Sequence, residues 1–594
     1  MTNEALRLIQ PRGYICPSEI IKNISARELH GLNVLFINMP LRETAVPNTT
    51  PEGPLLMATN LIKNYGVKAS IVDLNAYRIK DEIAQKRNLA NGRHLTYQEA
   101  AGKIERHMAK FGEPHLVCLS GMITTLKWQK AVAEMVRKLV PQAMLVSGGG
   151  LATELKTGLF RYIPELDAVA TGEGDEVIVK ICYDAAQIKR YGWRYALSSG
   201  KLKPYLLDEE SRYLMYQGDR PENLDCFPWA DLDLLKEDVD GIKILEQYLQ
   251  AEAWGLSANN SSAAPFVTAP KTTSISSRGC PYGCKYCYRG TQGERRWRVR
   301  SARHLVEEIK EHITRYRIAF KSWPDDNFAV TAKRIKDLRD IMVAEGIKIP
   351  WGTHTRLDEA AGLIPHPGQL QKEKIYFIDY VFEEPLRVKL MAEAGCRYIG
   401  FGPESAHPDT LEELGKGGFT LKAGLIPIRV EGRIYYFPKS MVYGIKHTLE
   451  AGIHPNCTWI IGNPGETLER LKQTVAFIKW QVDYYQTFGI PEEAVNKRMF
   501  TLTWYPGTEL INHPKVRSEL SRVFGLKFLE VDGKWEPICD EAFYHYCMEL
   551  DDATKLLFGP DGKPLNFSEM SDNILLKARE YIDSGQLFHI LDMQ

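Results

Sequence analysis

Three cysteines, Cys280, Cys284 and Cys287, stand in the loop RGCPYGCKYCYRG with three and two residues between them. Thiolates favour soft metals, and three on one tight, glycine-containing loop suit a four-iron cluster with one iron left open. A structural zinc usually takes four ligands, commonly from two paired clusters; no second pair lies nearby, so zinc would need a distant fourth ligand. Plain loop cysteines are the remaining alternative. Most of the other cysteines among the eleven are scattered through apolar surroundings, as at Cys118, Cys182 and Cys457, and read as buried free thiols.

Other residue groups have the right types for a site. LVCLSGMITTLKW (116–128) and MLVSGGGLAT (144–153) end apolar runs in small and hydroxylated residues, and DAVATGEGDE (167–176) ends one in glycine and acid. At Gly148, Gly149, Gly150 and Gly172 the missing Cβ lets a bound group come close to the backbone. PDDN (324–327), GFGPES (400–405) and WIIGNPGE (459–466) present polar residues after later strands; turn and helix-cap duty is their plainer reading. His354 in WGTHTR suits a proton shuttle or substrate contact, or a strand-end histidine without catalytic duty. The run Arg289, Arg295, Arg296, Arg298, Arg300 and Arg303 would suit an anion, or form a solvated surface.

These groups need elements to hold them. From residue 33 strand-like and helix-like segments alternate at the rhythm of a parallel sheet covered by helices. Strands are expected at 33–38, 69–75, 115–121, 143–150 and 167–172, with helices at 54–66, 96–112 and 126–140 between them. A second alternating run starts at 272–280 and continues through 320–323, 349–356, 397–405, 456–466 and 498–510, six strands that fit a partial (β/α)6 barrel with its polar residues at the strands' C-terminal ends. The expected division is an extension over 1–30, a Rossmann-like domain over 31–190, a connector over 191–270, a barrel over 271–510 and a mixed helical region over 511–594. Two insertions, 362–384 and 420–439, interrupt the barrel rhythm and are expected to form a substrate lid.

Composition narrows the function. A chain of 594 residues, 44% hydrophobic and 25% charged, is globular and multidomain. Its 75 basic and 75 acidic residues balance, which argues against nucleic acid and for a small-molecule partner. No run approaches ~18 apolar residues. The start MTNEALRLIQPRGYIC lacks a secretory layout, so a cytoplasmic protein without membrane association is expected.

The cysteine loop following TTSISSRGC resembles that of the radical S-adenosylmethionine (SAM) superfamily, and Tyr286 stands where that family usually has an aromatic beside the third cysteine. The resemblance implies that Cys280, Cys284 and Cys287 bind three irons of a [4Fe-4S] cluster, that SAM chelates the fourth, and that one electron from a reductase or flavodoxin yields a 5′-deoxyadenosyl radical. By position it makes Asp326, Glu404 and Gly462 SAM contacts. The segments around Ser120 and Gly148–150 resemble cobalamin-binding domains such as that of methionine synthase, which implies that Ser120 and Thr124 face the buried dimethylbenzimidazole. The sequence departs from that pattern at INMPLRETAVPN (37–48), which lacks the cobalt-ligating histidine. A base-off cobalamin with water or nothing on its lower cobalt face is therefore expected, with Arg42 either near that face or at the surface.

Together, residues 30 to 510 resemble a class B, cobalamin-dependent radical SAM methyltransferase. The resemblance implies methyl transfer from SAM through methylcobalamin to an unactivated carbon, or to a phosphinate phosphorus, of a natural-product precursor such as an antibiotic intermediate. GKGGF (415–419) is similar to the phosphinate set, and an anionic substrate would suit the arginine run. A cyclase or rearrangement enzyme of the same group, without methyl transfer, stays open, as does a cobalamin-binding sensor or carrier.

Overall fold

Apolar runs of five or six residues, too short for helices and too continuous for one-sided sheets, become the buried parallel strands of an N-terminal domain. The computed structural model describes residues 21, 23–43, 45–198, 205–206, 212–253, 268–288, 295–365, 380–382, 386–550 and 555–594. Strands β1 (Asn33–Asn38), β2 (Lys68–Asp73), β3 (Leu116–Ser120), β4 (Met144–Gly148) and β5 (Ala168–Gly172) pair in parallel. The helices between them start and stop on local signals. Thr96 and Glu99 form a capping box at the helix Tyr97–Phe111, and Gly66, in the left-handed region at φ 62°, ends Glu52–Tyr65.

The segment expected to be a connector contributes to this sheet. Strand β7 (Arg212–Gly218) lies parallel to β5 as a sixth parallel strand, and β6 (Tyr205–Leu206) adds an antiparallel edge. Its Pro-, Asp- and Asn-rich flanks hide that strand in the sequence. The order is β2-β1-β3-β4-β5-β7-β6, so the chain reverses direction across the sheet between β1 and β3. In doubly wound folds the crevice beyond the carboxyl ends of such a strand pair is where ligands bind.

The second sheet holds β8 (Lys271–Thr273), β9 (Phe320–Trp323), β10 (Trp351–Thr355), β11 (Cys396–Glu404), β12 (His454–Ile461) and β13 (Met499–Thr501). All five pairings are parallel and the strands lie in chain order, which is the expected partial barrel. The C-terminal region straps the two domains together. Leu510, Val516, Leu520, Phe543 and Tyr546 join the hydrophobic core of the N-terminal sheet, while Leu575, Ala578, Ile590 and Leu591 join that of the barrel.

Insertion 420–439 forms an antiparallel hairpin, Leu425–Val430 against Arg433–Pro438. Most of 362–384 lies outside the described residues, as do Arg289 and residues 1–20.

Candidate functional site

The loops that follow β1 and β3 project into the crevice predicted by the strand order. There Leu41, Arg42, Met122 and Thr124 form one wall of a cavity of about 720 Å³, and Cys287, Tyr288, Asp326 and His354 of the barrel form part of the other. A second cavity of about 430 Å³ lies beyond β4 and β5, lined by Gly149, Gly172, Arg278 and Arg298. Gly150, Tyr288 and Asp326 line both, so they mark where the two spaces adjoin.

Charged groups clamp the domains beside this chamber. Arg278 Nη1 lies 2.7 Å from Glu173 Oε2 and 2.6 Å from Asp175 Oδ2, and Arg298 pairs with Glu173. The arginine run is largely spent in this way: Arg296 pairs with Glu222, Arg300 with Glu308, and Arg303 with Glu345. Arg296 and Arg298 also line the smaller cavity, and among the described residues of the run none lines the larger one.

The cysteine loop leaves the barrel after β8. Cys284 is buried, Cys280 partly exposed and Cys287 exposed toward the larger cavity. Arg356 Nη1 points at Cys284 Sγ from 3.8 Å and Asn327 Nδ2 at Cys280 Sγ from 3.9 Å. Such donors suit thiolates, because they stabilise negative charge on sulfur. Arg356 is itself fixed by Asp358, 2.5 Å away, and its guanidinium lies 4.0 Å from the centre of the Tyr282 ring. Among the described residues no three His, Cys, Asp or Glu groups converge on a single-ion position.

Beside the loop, the Tyr286 hydroxyl donates to Glu404 Oε1 at 3.0 Å, and Lys416 Nζ stands 3.9 Å from the same oxygen. Glu404 sits at φ 66°, a conformation disfavoured for side chains with a Cβ, and burial pushes its carboxyl pKa up. Asp326 Oδ2 accepts from Gly279 N–H at 3.2 Å. Its neighbour Asp325 turns inward, to Ser276 N–H at 2.8 Å and Ser277 Oγ at 2.6 Å, and so holds the strand that precedes the cysteines.

The structure brings Thr124, Gly150, Tyr286, Cys287 and Asp326 to the larger cavity, and Gly149 and Gly172 to the smaller. Ser120 and Gly148 end their strands without lining either. Gly462 lies in a separate turn, where its N–H donates to Glu466 Oε2 at 2.7 Å, the plainer role. Gly149 and Gly172 are required by the fold itself: both have φ near 80°, and a Cβ would come within 2.8 Å of the Gly121 carbonyl oxygen and 2.6 Å of that of Gly218. Their freedom is thus used on neighbouring backbone, whatever ligand lies above them.

One group in the larger cavity and one beside the cysteine loop have no counterpart among the expected site residues. Glu154, one turn beyond Gly150, accepts a hydrogen bond from the Tyr288 hydroxyl, and burial pushes its carboxyl up to about 7. Raised above the unfolded value of about 4.3, this group contributes stability that is full only below about pH 4 and is lost progressively as pH rises through 7. Glu154→Gln is therefore expected to melt above the wild type at pH 8, by a margin that shrinks steadily toward about pH 4, measured by thermal scans across that range. Asn327 and Arg356 are the other omission; both lie inside motifs already conspicuous in the sequence, PDDN and WGTHTR.

His354 faces the cavity because its cross-strand partner is Gly400: a Cβ there would stand 2.2 Å from His354 Cδ2. Burial lowers the imidazole pKa to about 4, so the ring is neutral at physiological pH. Gly400→Ala is expected to destabilise the barrel by about 1–3 kcal/mol through overpacking, read by denaturant melts, with His354→Ala restoring part of the loss in the double variant.

Residues 274–478 match the family model described as Radical SAM superfamily. Over those residues the chain accordingly carries a radical SAM domain. Over 448 residues it is 26% identical to the uncharacterized methyltransferase PH0819 of Pyrococcus horikoshii, covering 74% of this chain and 76% of that one. It is 23% identical over 376 residues to the anaerobic magnesium-protoporphyrin IX monomethyl ester cyclase of Cereibacter sphaeroides, covering 62% of this chain and 50% of the cyclase, about half its length. The fold is similar to that of the cobalamin-dependent S-adenosylmethionine radical enzyme OxsB with aqua-cobalamin bound, at TM-score 0.55 and 15% identity over 85% of this chain and 63% of that one.

Proposed function

We propose that the chain is a cobalamin-dependent radical SAM methyltransferase that moves a methyl group from SAM, by way of the corrinoid, to an unactivated carbon or a phosphinate phosphorus of a small molecule. The observation that carries this reading is the shared chamber: Cys287 and Asp326 of the barrel line the same cavity as Met122 and Thr124 at the Rossmann-like strand ends. A radical enzyme that also uses a corrinoid needs both in one space closed to water. The named methyltransferase relative adds support.

In this reading Cys280, Cys284 and Cys287 hold the cluster, and Tyr286, Asp326 and Glu404 border the space where SAM would lie. Gly149, Gly150, Gly172 and Thr124, which line the two cavities, would serve the corrinoid, with Ser120 and Gly148 ending the strands behind them. The loop 37–48 offers no histidine to cobalt and puts Leu41 and Arg42 on the cavity wall, which supports a base-off corrinoid without a protein ligand. When bound, the cluster supplies an electron for SAM cleavage and the corrinoid carries the methyl group. The chain's own share is to keep the chamber dry, to hold His354 neutral, and to hold a proton on Glu154 below pH 7.

The cyclase relative favours a second reading, rearrangement without methyl transfer. Anaerobic reconstitution with iron, sulfide and hydroxocobalamin, followed by SAM and a low-potential reductant, separates the two. Methyl transfer gives S-adenosylhomocysteine together with 5′-deoxyadenosine and a product heavier by one CH₂ unit. Formation of 5′-deoxyadenosine no faster than in a variant lacking all three loop cysteines would end both readings.

A further inference from the structure

If the proposed function holds, the cluster needs one electron from outside, and the surface built against the cysteine loop is distinctive. Lys285 N–H donates to the Leu414 carbonyl at 2.9 Å, and a Cβ on Gly415 would stand 2.8 Å from the Gly283 carbonyl oxygen. Arg356, which faces Cys284 Sγ, also reaches Thr420 Oγ1 at 3.2 Å. From these contacts the chain runs outward. Phe419 is 48% exposed, yet its ring stands edge-on to that of Tyr282 in the cysteine loop, 6.0 Å between centroids.

The hairpin that follows has two unlike faces. Phe437 is buried on one face, packing edge-to-face on Phe477 of the helix Leu468–Gln486 at 5.0 Å. On the other, the directly opposed pairs Pro427–Tyr436 and Arg429–Ile434 are all exposed, with Ile434 at 54% and Tyr436 at 56%. Lys416 turns inward to Glu404, but residues 420–439 carry four further basic side chains, Lys422, Arg429, Arg433 and Lys439, against the single acid Glu431, in a chain that is otherwise electrically balanced. The hairpin lines neither the larger nor the smaller cavity, so its outer face is not spent on a substrate lid over them. An apolar centre with aromatic residues and a basic rim is the anatomy of a protein-docking patch, and its charge selects an acidic partner.

We infer that this face docks a small acidic one-electron carrier protein, which reduces the cluster along the Phe419–Tyr282 edge. In the step the carrier loses one electron and the cluster gains it; no bond or proton changes hands. The inference rests on the proposed function for its purpose, but its test does not. Flavodoxin is titrated into the purified protein and binding is measured directly, then cluster reduction by flavodoxin hydroquinone is followed by stopped-flow absorbance. The triple variant K422E/R429E/R433E is expected to bind at least ~10-fold more weakly and to be reduced by flavodoxin at least ~10-fold more slowly, with reduction by dithionite unchanged. Wild-type binding should weaken steeply as salt rises, a readout that needs no variant. Equal flavodoxin binding by wild type and variant would overturn the inference, as would a wild type that ignores flavodoxin but self-associates or binds anionic lipid vesicles through this face. Binding is read whether or not a cluster assembles, so failed reconstitution counts against the proposed function and not against this surface.

Discussion

Cys284→Ala is expected to give a protein that still takes up a corrinoid, carries no iron–sulfur chromophore, and cleaves SAM no faster than a protein-free control. Of the three loop thiols, Cys284 is the buried one, faced by a guanidinium that Asp358 holds in place. Without it two thiols remain, too few for a stable cluster, and a positive charge is left facing an apolar methyl group. The N-terminal domain has its own sheet and core, so the corrinoid spectrum should persist after gel filtration while iron and sulfide content fall to background. Arg356→Lys is the graded companion: it keeps the charge but loses the fork that holds Asp358 and Thr420, and should lower cluster occupancy without abolishing it. A Cys284→Ala protein with full iron content would show that the loop thiols do not hold the cluster.

Most strands were legible because a buried parallel strand is a short, unbroken apolar run between turn residues. NVLFIN and FKSW occupy the strand positions read for them. Strand β7 is not legible because its seven residues, RYLMYQG, carry no clear alternation and sit among Pro, Asp and Asn that signal irregular chain. The cysteine loop was legible from spacing alone. Its supports were not, since Asn327 and Arg356 approach the sulfurs from residues 47 and 72 positions away, and only the barrel's register brings them there. Glycines misled in a different way. Gly149 and Gly172 read as ligand cradles, but each is demanded first by a neighbouring carbonyl. Gly400, in plain view in GFGPES, opens the lumen for His354, a cross-strand relation that sequence order cannot show.

Glu308→Ala should cause the largest loss of stability of any single change considered, because it breaks a buried charge network between the first barrel strands and the helix Ala302–Tyr316. Glu308 Oε2 accepts from Ser274 Oγ at 2.8 Å and lies 3.1 Å from Arg300 and 3.4 Å from Lys321, all four residues being buried. Truncation takes from Arg300 and Lys321 the carboxylate they contact and leaves only the more distant Glu52 to offset them, a defect that costs about 3–5 kcal/mol. For a domain of this size that is a fall in melting temperature of about 10 °C. The same network sets an acid limit. Burial alone would raise the Glu308 carboxyl, but Arg300 and Lys321 outweigh it and hold the pKa far below the ordinary carboxylate range. A carboxyl depressed in the fold stabilises above its unfolded pKa of about 4.3, and that contribution drains away as pH falls below it. Wild type should therefore lose stability steeply below about pH 4. Glu308→Ala, already lacking the network, should show a shallower acid slope from a lower starting point, and parallel acid slopes in denaturant melts would refute the assignment.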